Sequence, residues 1–182
     1  MIWRKRNEGL LQGCVAKGRK CGTGGKLVHL MVAISYNKGV IMCEQYEKLN
    51  GAYFVSFIER NFENMFIDSG KAPSRLWLQD GDPSQNCVMA RNAMQHVNAD
   101  LLNIPARSPD LNPIENLFHL VGKKLKQDAI DQNIEIESFK EFSKRVIDTI
   151  TNTDSGVIDN IIESMPKRIK DVIKVRGERL KY

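Results

Sequence analysis

The sequence predicts an α/β domain in which helices flank a mixed β-sheet. Residues 27–36 (LVHLMVAISY) are almost continuously apolar, which is typical of a strand covered on both faces. Residues 75–80 (RLWLQD) form a second short apolar run, and the stretches around it carry apolar residues at helical spacing. The resulting order, β-β-α-β-α-β-α-α-α, is that of a sheet with helices on its faces.

The first two strands are predicted to form a hairpin. Residues 27–36 are the outgoing strand and residues 40–47 (VIMCEQYE) are the return strand. Asn37, Lys38 and Gly39 lie between them, and asparagine and glycine tolerate the positive φ that a tight turn requires.

The segment from Ala52 to Phe66 has an aromatic stripe at helical spacing. Such a stripe could stack on nucleic-acid bases, or it could pack on a sheet. Packing is the commoner use of an amphipathic helix, and we favour it.

A strand, a helix and a second strand follow. Residues 75–80 are predicted to be a strand, with Asp80 on the same buried face as Leu76 and Leu78. Asp82 and Pro83 have the pattern of a helix N-cap followed by proline at the first helical position. Residues 100–104 complete a parallel crossover.

The C-terminal part is predicted to be helical. The first helix begins at Pro113 and runs to about Lys126, and the second covers residues 138–152. A third is capped by Ser155 and is interrupted at Pro166, after which a basic segment ends the chain.

Positive charge is concentrated at the N-terminus. The net charge of the chain is +5, and residues 1–26 alone carry +6 in a glycine-rich stretch without periodicity. This stretch is predicted to be an arm or loop that contacts a phosphate backbone, although a solvated surface loop would have the same composition. The candidate contacts are its basic side chains: Arg4, Lys5, Arg6, Lys17, Arg19 and Lys20.

Two acidic residues are candidates for a shared catalytic site. Asp80 ends a strand, Glu115 lies in the first turn of a helix, and thirty-four residues separate them. Ligand sites of α/β sheets lie beyond the carboxyl ends of strands, which favours a functional Asp80, although aspartate also forms turns. Glu115 follows Asn112 and Pro113, so it could instead close a capping box on its own helix.

If the two carboxylates converge, a cation is expected between them. At about 4 Å they would repel by roughly 4 kcal/mol at an effective dielectric constant of 20. Oxygen ligands suit magnesium or manganese, and two such ions can clamp the attacking and leaving oxygens of a phosphoryl displacement. The four cysteines lack paired CxxC spacing, so no zinc site is predicted.

The residues around both acids resemble the catalytic domain of mariner-like cut-and-paste transposases of the Asp-Asp-Glu group. The resemblance is carried by LQDGDPSQN and IPARSPDLNPIENLF, and by the closing ESMPKRIKDVIKVRGERLKY. It implies a ribonuclease-H-like fold, two divalent metal ions (magnesium or manganese), and excision and rejoining of transposon-end DNA. By match of motif, Asp80 would be the second carboxylate of the group and Glu115 the third.

The resemblance also implies partners and a location. The partners would be double-stranded DNA, as transposon ends and target, and a possible second copy of the chain. A eukaryotic protein of this kind would act in the nucleus, and otherwise in the cytoplasm. No run of eighteen apolar residues is present, so no membrane partner is expected.

The sequence departs from the family pattern at its start. Residues 1–26 contain no aspartate, whereas the first carboxylate of the family lies on the first strand of the sheet. We therefore expect that the first strand is missing, that residues 1–26 are an arm and that residues 27–182 are an incomplete catalytic domain. Such a chain would be inactive alone. The alternative is a decayed or domesticated remnant that only binds DNA or dimerises.

Overall fold

The computed structural model describes residues 26–70, 74–105 and 108–176. The strands are β1 (His29–Ser35), β2 (Gly39–Tyr46), β3 (Leu76–Leu78) and β4 (Asp100–Leu102). The helices are α1 (Gly51–Asp68), α2 (Val88–His96), α3 (Pro113–Asp131), α4 (Phe139–Thr151), α5 (Ser155–Glu163) and α6 (Met165–Lys174), and a 3-10 turn (Pro109–Leu111) precedes α3. The order agrees with the predicted one, and α6 is an additional helix within the basic C-terminal segment.

The hairpin of β1 and β2 confirms the predicted turn. The two strands are antiparallel, and His29 at the start of β1 pairs with Tyr46 at the end of β2. Asn37 and Gly39 have φ angles of 61° and 76°. These are left-handed conformations, which asparagine and glycine adopt at little cost.

The strands form one antiparallel pair and one parallel pair, which is the mixed pairing expected of this fold class. β3 and β4 are parallel, with Leu76 opposite Asp100, and α2 connects them. Across residues 26–70, 74–105 and 108–176, no strand pairing joins β1–β2 to β3–β4. One edge of each of the four strands is therefore unpaired within these ranges.

Helices cover β1 on both faces. Met31 and Ala33 belong to an apolar cluster with α1 and α2, whereas Leu30, Val32 and Ile34 pack against the cluster of α3, α4 and α5. Tyr53 of α1 is partly buried and packs against the first cluster, and the phenylalanine side chains of α1 lie in that cluster and are buried: Phe54, Phe57, Phe62 and Phe66. The packing interpretation of the aromatic stripe is thus confirmed, because side chains inside a core cannot stack on nucleic-acid bases.

The predicted start of the helix after β3 was wrong. The helix begins at Val88 with Cys87 as N-cap, not at Asp82. The Asp82 carboxylate instead accepts a hydrogen bond from the Ser84 backbone N–H at 2.8 Å, and the Asn86 side chain donates to the Asp82 carbonyl at 2.9 Å. Local side-chain hydrogen bonds therefore hold this segment as a turn, which competes with helix formation.

The predicted faces of β3 were also reversed. Trp77 packs into the core and Gln79 is buried, whereas Leu76 is 58% exposed. The strand ends at Leu78, so Asp80 lies two residues beyond it and is exposed. Periodicity alone could not identify the inner face, because both faces of this short strand carry large apolar residues.

The C-terminal helices begin largely as expected. α4 has a capping box between Ser138 and Glu141, α5 is capped by Asp154 rather than Ser155, and Pro166 lies in the first turn of α6. Within the ranges described, no helix has both the length and the apolarity needed to cross a lipid bilayer.

Candidate active site

The loop that carries Asp80 is held by buried polar side chains. Gln79 accepts a hydrogen bond from the Trp77 indole N–H at 3.0 Å and donates to the Gln85 carbonyl at 3.1 Å. Asn86 donates to the carbonyls of Asp80 at 3.1 Å and Asp82 at 2.9 Å. Because Gln79 is buried, these bonds are shielded from water and fix the backbone on both sides of Asp80.

Asp80 has a turn-forming role that uses one of its two carboxylate oxygens. Its Oδ1 accepts a hydrogen bond from the Asp82 backbone N–H at 3.1 Å, and the residue is exposed. The carboxylate is thus oriented by the backbone, and no described residue donates a hydrogen bond to its second oxygen. An aspartate that is fixed in this way is prepared to bind a cation.

The open end of the β1–β2 hairpin lies beside this loop. Burial raises the pKa of the Tyr46 phenol, and the nearby carboxylates of Asp82 and Asp80 raise it further. The Tyr46 and His29 rings are 5.5 Å apart. The start of β1, the end of β2 and the acidic loop therefore meet at one end of the domain.

Glu115 occupies the third position of α3, where a capping box would use its side chain. The N-cap side chain of Asn112 accepts a hydrogen bond from the Ile114 N–H at 3.4 Å. The Asn112 N–H, which a capping-box glutamate would accept, donates instead to the Pro109 carbonyl at 3.1 Å. The preceding 3-10 turn thus already uses the N–H donor that Glu115 would need to close a capping box. The capping interpretation of Glu115 is wrong for this structure.

The corresponding position in α4 shows the difference. Glu141 accepts a hydrogen bond from the Ser138 N–H at 2.8 Å, while the Ser138 hydroxyl accepts from the Glu141 N–H at 3.2 Å. These bonds to Ser138 lower the pKa of the Glu141 carboxyl. Glu115 is exposed and has no such partner among the described residues. Two glutamates at the same helical position therefore differ, and only Glu141 has a capping role.

A buried cation supports the first turn of α3. Arg168 on α6 is 6% exposed, and its guanidinium donates to the Asp110 carbonyl at 3.4 Å and to the side-chain oxygen of Asn116. Asp110 lies in the 3-10 turn before α3, and Asn116 follows Glu115 directly. α6 therefore holds both sides of the backbone that carries Glu115.

Two predicted sites, the carboxylate pair and the basic DNA contacts, stay predictions. Asp80 and Glu115 are both exposed, but no hydrogen bond joins them, and the described ranges contain no cluster of three acidic, histidine or cysteine residues suited to a metal. Their convergence on shared ions stays a prediction. The six basic residues assigned to DNA lie within residues 1–25, outside the described part of the chain.

Three positioning residues were missed in the sequence: Gln79, Asn86 and Arg168. A signal existed for two of them. Gln79 is two residues beyond Trp77, so it shares the face of the buried indole, and Arg168 lies between Met165 and Val172 on the inner stripe of α6. A polar residue on an inner face implies a buried hydrogen-bond partner. Asn86 had no comparable signal, because its role depends on how the loop folds.

Comparison with known protein families agrees with the sequence resemblance. The model of the DDE superfamily endonuclease family matches residues 11–137. The Tcb2 transposase of Caenorhabditis briggsae is 31% identical over 107 residues, which cover 59% of this chain and 37% of that protein. The Tc1 transposase of Caenorhabditis elegans is 31% identical over 108 residues, with the same coverage of 59% and 37%. The matched region is thus well under half of these relatives.

Solved structures with the same fold include transposase catalytic domains. The catalytic domain of the Mos1 mariner transposase aligns over 85% of this chain and 82% of its own, with a TM-score of 0.65 and 20% identity. A Mos1 mariner paired end complex with Mn aligns over 98% of this chain and 51% of its own, with a TM-score of 0.73 and 22% identity. At these identities the likeness establishes the fold, and it confirms the ribonuclease-H-like class. The match to the family model over most of the sequence shows that the chain belongs to the DDE superfamily endonuclease family.

Proposed function

We propose that the chain contributes to metal-dependent hydrolysis and strand transfer of phosphodiester bonds at transposon ends, with Asp80 and Glu115 as metal ligands. The observation that carries the proposal is that the Glu115 carboxylate makes no capping hydrogen bond. Its carboxylate lies at a capping position but does not cap its helix, whereas Glu141 at the same position of α4 does. A carboxylate without a structural role, in a motif shared with a nuclease family, supports a catalytic one.

The two side chains fit a divalent metal ion. Each presents carboxylate oxygen to solvent, and oxygen ligands of this kind suit magnesium and manganese. Solved Mos1 catalytic domain structures are described with Mn and with Mg. When bound, such ions would stabilise the charge that develops on the phosphate and would activate the attacking water or 3′-hydroxyl.

The residues of the chain would then have separate roles. Asp80 and Glu115 would hold the ions, Gln79 and Asn86 would fix the backbone around Asp80, and Arg168 would fix the backbone around Glu115. We propose that the number of ions is two and that a further carboxylate from outside the described residues completes the site. We further propose that Asp80 and Glu115 do not suffice by themselves, so that the chain alone does not cleave transposon-end DNA in magnesium.

The partners that we propose are transposon ends and target DNA, bound by a homodimer. Solved Mos1 structures include a paired-end complex with the left transposon end and a strand transfer complex. The basic arm at residues 1–26 would contact the DNA backbone. Because the matched relatives are nematode transposases, the proposed site of action is the nucleus.

Manganese binding tests the proposal directly. Glu115→Gln and Asp80→Asn are each expected to weaken Mn²⁺ binding at least tenfold, because each removes one ligand charge from the site. Binding would be followed through the electron paramagnetic resonance signal of free Mn²⁺ during titration of the chain. Glu141→Gln is the matched control, since it makes the same change at the same helical position.

The control variant is expected to keep its Mn²⁺ affinity and to lose a little thermal stability, because glutamine can still cap α4 but lacks the negative charge that the helix N-terminus favours. Equal Mn²⁺ affinities in Glu115→Gln and the unmodified chain would exclude Glu115 as a ligand. That result would favour the second function, a module that binds DNA or dimerises without chemistry.

A further inference from the structure

One face of α3 continues away from Glu115 without cover from the part of the chain that the structure describes. At 100° per residue, His119, Gly122 and Lys126 lie within about 40° of Glu115 around the helix axis. Glu115, His119 and Lys126 are exposed, and Gly122 is half-exposed. The distance from the first to the last of these residues along the axis is about 16 Å. This exposed stripe, residues 115, 119, 122 and 126, is called the α3 track below.

Gly122 is unusual in the middle of this helix. Glycine is the least favourable helix residue after proline, so a helix-interior glycine usually has a packing reason. A Cβ atom built at Gly122 would have no atom of the described chain within 4 Å. Packing against the described residues therefore gives no reason for the missing side chain. A molecule outside the domain that approaches the helix backbone closely would give such a reason.

The charges on and beside the α3 track indicate what kind of molecule would approach the helix at Gly122. Lys126 on the track and Lys123 beside it form no ion pair with any described residue. On the opposite side of the helix, about 180° from Glu115, Lys124 pairs with Asp128 at 3.2 Å. Two unneutralised lysines beside a half-exposed glycine favour a polyanion, and they do not favour an apolar protein surface.

We propose that the backbone of the DNA duplex runs along the α3 track, with Gly122 allowing close approach and Lys126 contacting a phosphate. This inference rests on the proposed function, because it places the duplex next to the carboxylate of Glu115. A length of 16 Å corresponds to about five base pairs. The track thus assigns a path to the DNA that leads away from the site, independently of the basic arm.

Two lysines on the same helix provide a matched test. The full chain would be titrated against a labelled 20-base-pair duplex of arbitrary sequence, with fluorescence anisotropy as the readout. The buffer would contain EDTA and a range of low salt concentrations. Lys126→Gln is expected to weaken binding about fivefold and to reduce the salt slope by about one, because one phosphate contact is lost. Lys124→Gln removes the same charge from the opposite side and is expected to leave both quantities unchanged.

A substitution at Gly122 tests the close approach. Gly122→Gln is expected to raise the melting temperature by about 3 °C, because glutamine favours the helix and the space is open. The same variant is expected to bind the duplex several-fold more weakly, because the new side chain occupies the track. Stability and affinity would therefore change in opposite directions.

Three results would overturn the inference. These are equal losses of affinity in Lys126→Gln and Lys124→Gln, unchanged DNA affinity in Gly122→Gln, or no binding of the duplex by the unmodified chain at low salt. Because EDTA removes divalent ions, these results are independent of Mn²⁺ binding by Asp80 and Glu115. If the duplex does not bind along the α3 track, the proposal of the metal site is unaffected. If Asp80 and Glu115 do not bind Mn²⁺, DNA binding by the chain can still be measured.

Discussion

Replacing Arg168 by alanine is expected to lower the free energy of unfolding by about 3 kcal/mol and to weaken Mn²⁺ binding several-fold. Arg168 is the one charged side chain that is buried within the described ranges, and it donates to Asp110 and Asn116. Its removal takes the guanidinium donor away from two part-buried acceptors and leaves a cavity under the first turn of α3. The turn that carries Glu115 would then be held less firmly.

Two measurements separate these effects. Urea denaturation gives the change in stability, and Mn²⁺ titration well below the melting temperature gives the affinity of the folded variant. Hydrogen exchange of the amides of residues 114–117 is expected to be faster in Arg168→Ala than in the unmodified chain, by more than the change in α4 amides.

Lys167→Ala is the control, because Lys167 is the exposed neighbour on the same helix. It is expected to change neither stability nor Mn²⁺ affinity by a measurable amount. Arg168→Lys should recover part of both, since a lysine retains the charge but not the planar fork of donors. If Arg168→Ala lost stability and kept full Mn²⁺ affinity, the residue would be structural only.

Replacing Phe57 by alanine is expected to produce the largest loss of stability, about 4 kcal/mol. Phe57 is fully buried, and it contacts Phe54 and Phe62 at ring-centroid distances of 6.2 and 6.1 Å. The cavity would open at the centre of the cluster that joins α1 and α2 to β1. For a chain of this length the melting temperature should fall by roughly 12 °C.

The comparison variant is Phe118→Ala, because Phe118 is 37% exposed on α3. A loss of about 1 kcal/mol or less is expected there, since the side chain already contacts water. Thermal and urea unfolding would both be recorded. Equal losses in the two variants would show that α1 does not form the centre of the core.

Much of the fold could be predicted from local patterns. The turn at Asn37 and Gly39, the aromatic helix α1 and the start of α3 at Pro113 were all correct, because each depends on residues adjacent in sequence. The start of α2 was wrong for a related reason. Asp82 and Pro83 fit a helix start as well as a turn, and the hydrogen bonds of Asn86 decided between the two.

The site was less predictable than the fold. Asp80 and Glu115 could be selected by motif, but their surroundings depend on contacts distant in sequence. Arg168 lies 52 residues from Asn116, and no local pattern relates the two. The inner face of β3 was misassigned because Trp77 and its neighbouring leucines are all apolar, so that only packing against α1 identifies the buried face.

The sequence by itself determined the order of the elements, the family resemblance and the two carboxylates that mark the site. These follow from periodicity, turn chemistry and motif, which are properties of adjacent residues. Only the tertiary structure decided that Glu115 does not cap its own helix. The Asn112 N–H donates to Pro109, and Arg168 of a distant helix holds the turn in that position. The Glu115 carboxylate is available for chemistry because the Asn112 N–H, from which it would otherwise accept a capping hydrogen bond, already donates to the neighbouring turn.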